Sequence, residues 1–286
     1  MRRLYCVTIL FLLFWSLSPG QEQEEVEFIT GAFRSNRVIN SHAIESTRGG
    51  VLDMKISHRF GTLNSGFFQF YGLDNAMIRL GVDYGISDRL TVGLGRSSFR
   101  DIWDGFVKYK FLWQSTGKRE MPITVAGLVA MDLIGTKNNP DPENVFSSRF
   151  AYTYQLLIGR KFSEDFSLQL MPTLVHRNLV EFDEENDVWA IGIAARQDIS
   201  PTVSITAEYF YVPGDQLPSG DDSGNNFHNS LSLGVDILTG GHVFQLHLSN
   251  STSMAHSGFL TQTTGEWLEG DIHFGFNITR IFFLNR

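Results

Sequence analysis

Past residue 50 one feature governs what this chain can fold into: apolar side chains recur at every second position, stretch after stretch. Small, polar or charged residues fill the positions between them. A period of two puts alternate side chains on opposite faces of an extended strand. Leu52, Met54, Ile56 and Phe60 share one face, and Asp53, Lys55, Ser57 and Arg59 the other. Ile78, Leu80, Val82 and Tyr84 likewise oppose Arg79, Gly81, Asp83 and Gly85. Phe150, Tyr152, Tyr154, Leu156 and Ile158 form a third such face, and Val203, Ile205, Ala207, Tyr209 and Tyr211 a fourth. Leu231, Leu233, Val235 and Ile237 make a fifth, and Ile272, Phe274, Phe276 and Ile278 a sixth. Less regular stretches at 90–97, 102–114, 122–134, 166–176, 188–197 and 242–250 bring the expected strand count to about twelve, with ten or fourteen as alternatives.

A soluble sandwich also alternates, so the choice of class rests on three further features. The polar face carries Gly, Ser, Thr and both signs of charge, with no second apolar layer to pack beneath it. The connections alternate in length: short near 87–89, 163–165, 200–201 and 239–241, long at 61–75, 135–147, 177–187, 213–227 and 251–269, with 98–101 a short exception on the long-loop side. Tight turns at one end and long loops at the other are the pattern of outer-membrane hairpins. Trp103 and Trp113 stand ten positions apart on one expected strand, about 25 Å along a tilted barrel axis, which is the height of an apolar band. Both are expected as membrane-interface aromatics. The expected fold is all-β, a transmembrane antiparallel up-and-down barrel over residues 49–286.

The other end of the chain gives its address. Arg2 and Arg3 precede an apolar run from Val7 to Trp15, and Ser18 and Gly20 offer small residues to a peptidase. Residues 1–20 are therefore expected to be a cleaved signal peptide, and no run of about 18 apolar residues recurs after it. Cys6, the only cysteine, falls inside that signal, which excludes disulfides and thiolate sites from the exported chain. The expected location is the outer membrane of a Gram-negative bacterium, with both barrel ends in the periplasm and outer-membrane lipids as neighbours. The net charge of −8, with no basic block, argues against nucleic acid as a partner. Residues 21–48 form a separate segment: an acidic start at Glu22, Glu24, Glu25 and Glu27, then a more apolar stretch from Phe28 to Ile44. That stretch is expected either inside the lumen as a plug or at the periplasmic mouth. Ser65 to Leu73 is expected as a short helix or lid with its aromatic rings packed on the rim. His273, Gly275 and Ile278 give part of the polar-x-Gly-x-x-apolar spacing read by the barrel-assembly machinery, and Arg280 stands where a further apolar residue is expected.

Several stretches together resemble one uncharacterised family of outer-membrane β-barrels from Gram-negative bacteria of the Bacteroidetes type. They are Arg37-Val-Ile-Asn-Ser-His42 with Glu45, the run from Val51 to Gly61, Gly72 to Gly85, Ser87 to Arg96, and Asp104-Gly-Phe-Val-Lys-Tyr-Lys110. The resemblance is densest between residues 37 and 115. It implies a fold and a membrane; the family has no settled activity and supplies no catalytic residue.

Function is sought on the inward face. Lys55, Arg59, Arg79, Lys108 and Lys110 are expected there with Asp83 and Asp104, and Asp236, His247 and His273 across the interior. Such a set serves either as a salt-bridged filling that holds the barrel's shape or as a constriction for small polar solutes. The leading expectation is a passive channel for small polar solutes through this charged lumen. The first alternative is a plugged barrel acting as a surface scaffold or binding platform. A membrane-embedded hydrolase ranks below both: His58 has no serine in evident register, and Gly-x-Ser-x-Gly is absent. No enzyme activity, cofactor or metal is expected. His242 and His247 are five apart and so on opposite faces, and the acid-rich loops 181–187 and 220–224 lack calcium-loop spacing.

Overall fold

The computed structural model describes residues 25–135, 145–180, 184–214, 216–217 and 226–284. The expected signal peptide and the acidic loop 220–224 lie outside the described residues, as do 181–183 of the other acidic loop. Fourteen strands are present among the described residues. Two short ones, β1 (Val26–Phe28) and β6 (Ser115–Gly117), pair with each other at one mouth. The other twelve are β2 (Val51–Thr62), β3 (Ala76–Gly85), β4 (Leu90–Ser97), β5 (Trp103–Leu112), β7 (Thr124–Leu133) and β8 (Phe150–Lys161), followed by β9 (Phe166–Arg177), β10 (Asp187–Ser200), β11 (Val203–Tyr211), β12 (Leu231–Thr239), β13 (His242–Ser249) and β14 (His273–Phe283).

These twelve form one closed antiparallel barrel in which each strand pairs with its sequence neighbours. β14 returns to β2, from His273 opposite Thr62 to Phe283 opposite Val51. Closure leaves no row of unpaired backbone groups, the condition for strands to cross hydrocarbon. Strand count and positions agree with the alternation in the sequence. No helix among the described residues is long and apolar enough to cross a membrane.

The burial pattern follows the period of two. Along β2 the inward Asp53, Lys55, Ser57 and Arg59 are buried, while Leu52, Met54, Ile56 and Phe60 face out. Leu94, Val107, Val129, Ile191, Leu233 and Leu246 add to an exposed apolar exterior, Leu94 at 71%. A surface this continuous and this apolar requires non-aqueous surroundings.

Two segments outside the strands are buried instead of exposed. Residues 32–44 carry Phe33, Val38, His42 and Ala43 inside the barrel. From the long-loop end, residues 250–263 fold inward and include the short helix α1 (His256–Thr261), whose six residues are all buried. The Ser65–Leu73 region does turn as 3-10 helix over Phe67–Gly72, but its rings do not pack on the rim: Phe68 is 98% exposed, and Phe67, Phe70 and Tyr71 are exposed too.

Candidate functional site: the filled interior of the barrel

The inward side chains of the early strands make a dense ionic layer. Lys55 Nζ lies 2.5 Å from Asp53 Oδ2 and 3.1 Å from Asp83 Oδ2. Arg79 grips Asp104 with two bonds, Nε to Oδ2 at 2.8 Å and Nη2 to Oδ1 at 2.5 Å. Gly81 and Gly95 leave room for this guanidinium, since a Cβ at either would fall within 2.6 Å of it. All ten charged or histidine positions read from the sequence as inward (Lys55, Arg59, Arg79, Asp83, Asp104, Lys108, Lys110, Asp236, His247 and His273) are buried inside the barrel. They do not line an open constriction. Most are occupied by one another or by the two inserted segments.

Residues 32–47 are held by side chains from around the wall. The Glu208 carboxylate on β11 accepts from the amides of Ile39 (3.4 Å), Asn40 (2.8 Å) and Ser41 (3.0 Å) and from the Ser41 hydroxyl (2.6 Å). Ile44 N donates to Gln169 Oε1 at 2.6 Å, and Gln169 Nε2 donates to His42 O at 2.8 Å. Gln245 Nε2 donates to Val38 O at 2.8 Å and to Asp236 Oδ1 at 3.1 Å. Asn36 Nδ2 reaches Asp83 Oδ2 at 3.1 Å, and Lys108 Nζ donates to the carbonyls of Ala43 and Glu45. The backbone polar groups of an irregular segment need such partners when water is excluded.

The second segment is tied to the opposite end. Asp132 Oδ2 accepts from Ser257 N at 2.7 Å, and Arg100 Nη1 donates to Gln262 Oε1 at 2.5 Å. Thr252 Oγ1 meets His273 Nε2 at 3.0 Å, while His273 Nδ1 bonds to Phe60 O at 2.8 Å. Phe259 and Leu260 supply the apolar anchor, Phe259 lying 5.4 Å from the Phe210 ring. Arg59 joins the two segments, bonding Asn40 Oδ1 at 2.6 Å and the Ser251 carbonyl.

Where the two segments meet, the His42 ring stacks on His256 at 5.1 Å, with 5° between their planes, and it also meets the Phe106 ring edge-on at 4.2 Å. Neither His42 nitrogen, nor His256 Nε2, has a hydrogen-bond partner among the described residues. Burial pushes the His256 imidazole down to about 3, with the Arg37 guanidinium adding to the effect. His42 lies well below the ordinary imidazole range for the same two reasons, with Lys108 contributing next. Both rings are therefore neutral at pH 7.

The alternation located the ionic layer but not Glu208, Gln169, Gln245, Asp132, His42 or His256 as holding residues. Those on strands carry only the polar-face signal shared by many neighbours. The two histidines lie off the strands, where no period applies.

Trp113 is corrected. The register of β5 against β7 shifts between Lys110 and Leu112, which reverses the inside–outside phase beyond that point. Phe111 and Leu112 are both exposed as a result. Trp113 turns to the barrel mouth, where Nε1 donates to Ile29 O at 2.7 Å and the ring lies 4.9 Å from Phe28 and 4.0 Å from Lys110 Nζ. It is not a lipid-facing partner of Trp103, which does face outward at 58% exposure. His58 also faces outward, its ring stacked 4.8 Å from Phe276 and its Nδ1 without a partner among the described residues. No group of three His, Cys, Asp or Glu side chains among the described residues is placed to hold a metal ion.

A comparison with curated proteins gives no match. Solved structures similar to this chain include the KdgM porin, 9% identical over 81% of this chain and 98% of that one, with a TM-score of 0.44. The outer membrane protein Omp33 of Acinetobacter baumannii is 9% identical over 82% and 100%, at a TM-score of 0.42. An outer membrane channel from Pseudomonas putida F1 is 12% identical over 84% and 98%, at 0.44. The family described as membrane bound beta barrel domain (DUF5777) matches residues 33–282, a span that takes in all but the last residue of the closed sheet and, from Phe33 on, both inserted segments, and the chain belongs to that family.

Proposed function

We propose that this protein is an outer-membrane barrel that passes small polar solutes through its interior and that its passage is gated by its own chain. The observation that carries this reading is the nature of the filling. Residues 32–47 and 250–263 are held by hydrogen bonds to hydrophilic wall groups such as Glu208, Gln169, Asp132 and Arg59, together with apolar packing of Phe33, Val38, Ile44, Phe259 and Leu260 on the wall. Water or a polar solute satisfies the same groups when a segment withdraws, so displacement opens a path with a wetted, charged side beside the apolar side formed by Leu157, Met171, Val175 and Phe210. With both segments in place the interior is closed.

The filling from both ends also favours a second reading, a sealed barrel that carries its long loops as a surface platform. Planar-bilayer recording of the folded chain decides between them. The gated passage predicts long closed periods broken by discrete openings, and more frequent openings in Glu208→Ala. A barrel that stays silent in both forms, at every voltage and pH, supports the platform and overturns the passage.

A further inference from the structure

The outward wall of the barrel is not evenly covered by side chains. On the row that runs through Val82, Leu94, Gly105 and Met131 across β3, β4, β5 and β7, one position has no side chain. Gly105 therefore opens a groove of about 590 Å³ between the exposed Leu94 and Met131, and Val82, Val107 and Val129 extend its apolar lining. One step further along the same strands the outward positions are Arg96, Trp103 and Leu133. With Asp101 and Arg149 they line a second depression of about 360 Å³, which continues the groove towards the long loops.

The second depression differs from the first in charge. The Arg96 guanidinium bonds Asp101 at 2.6 Å and lies 5.5 Å from the centre of the Trp103 ring. The Arg149 guanidinium rests 4.6 Å over the Phe146 ring and has no hydrogen bond or ion pair among the described residues. Two guanidiniums face one carboxylate, so the depression carries an unbalanced positive charge in a chain whose net charge is −8. A guanidinium presents a planar fork of donors that matches a phosphate group. In outer-membrane barrels the long loops are extracellular, and exposed tryptophans mark the headgroup level. The depression thus stands at the headgroups of the outer leaflet, with the groove beneath it at the depth of the acyl chains. A protein surface packed here would bury Arg149 without a counter-ion, which is strongly unfavourable.

We infer that this outward site binds a phosphorylated lipid of the outer leaflet, with its phosphate on Arg149 and Arg96 and one acyl chain in the groove opened by Gly105. The site does not depend on whether the interior conducts. Trp103, opposite Arg96 and two residues from Gly105, stands between its two parts and serves as a reporter.

The folded full chain in detergent is titrated with diphosphoryl lipid A, with diacylglycerol as the phosphate-free lipid and with inorganic phosphate as the lipid-free anion. Native mass spectrometry counts the bound molecules, and tryptophan emission is followed in parallel, with Trp103→Phe identifying the signal of that residue. Lipid A is expected to bind about tenfold or more tightly than diacylglycerol, the worth of a charge-assisted hydrogen bond, and inorganic phosphate to leave the emission unchanged. Arg149→Gln is expected to weaken lipid A binding about tenfold. It removes no bond within the described chain, so the barrel folds as before. Gly105→Phe fills the groove and is expected to weaken binding to a similar degree; its Cβ would press only on the exposed Leu94 side chain, at 3.1 Å. Arg160→Gln, which removes an exposed cation at the short-turn end of β8, is expected to change nothing. The inference is overturned if diacylglycerol binds as tightly as lipid A, if inorganic phosphate gives the same response as the lipid, or if either Arg149→Gln or Gly105→Phe binds as well as the parent. It is equally overturned if Arg160→Gln loses as much as Arg149→Gln, which reduces the effect to overall charge. Dimers abolished by Gly105→Phe, with no lipid bound, assign the groove to a second copy of the chain and overturn it as well.

Discussion

Glu208 holds residues 39–41 with one carboxylate that accepts three amides and a hydroxyl. Bonds to an ionised acceptor are stronger than neutral ones, and here they cluster on a single turn. Glu208→Gln is therefore expected to speed hydrogen exchange of the Asn40 and Ser41 amides about ten- to hundredfold, leaving strand amides unchanged. Unchanged exchange at both positions would show that the turn is held by something else. Arg79 and Asp104 test the ionic layer in the same way. Removing one partner of a buried pair strands the other, so Arg79→Met is expected to cost about 3–5 kcal/mol in urea unfolding from lipid vesicles. Adding Asp104→Leu is expected to recover most of that loss, whereas equal loss in the single and double variants would contradict a coupled pair.

The strands test the membrane reading. Leu94 sits in the middle of β4 on the outward face, and Ile86 lies in the turn between β3 and β4. An arginine near the bilayer midplane costs about 2–4 kcal/mol and near an interface about 0–1 kcal/mol. Leu94→Arg is expected to fall in the first range and Ile86→Arg in the second, measured by folding into vesicles; equal costs would remove the hydrocarbon belt from the outer face. At this scale most of the fold was legible, because a strand exposed to lipid on one face and polar groups on the other writes its register into every second residue. Trp113 was misplaced because a bulge at Lys110–Leu112 breaks that count, and nothing in the local composition marks it. The burial of residues 250–263 was not legible either. That stretch has no charged residue, but neither does 61–73, which stays exposed. The difference lies in tertiary partners, Asp132 and Phe210 above all, that no local pattern reveals.

At the scale of the molecule, two parts of the chain distant in sequence meet inside a barrel closed by β14 on β2. Their contact is built on two neutral histidines faced by Arg37, Lys108, Asp104 and Arg79. Each has its affinity for a proton lowered in the filled state, so the filling is fully stable above the ordinary imidazole value of 6.5. It weakens as pH falls below that value, by up to about 1.4 kcal/mol per pH unit for each ring. Bilayer openings are expected to rise steeply between pH 6.5 and 4.5 and to rise far less in the His42→Phe, His256→Phe double variant, which keeps aromatic contact without titration. A flat pH response in the parent would contradict the role of this stack. The central claim, that the barrel is filled by its own chain, is tested most directly by hydrogen exchange on the full chain in lipid bilayers at pH 7. The account predicts that the amides of Asn40, Ser41, Ile44 and Ser257, each bonded to a wall side chain, exchange as slowly as those of the barrel strands. Exchange at those four positions as fast as in an unstructured peptide would contradict it.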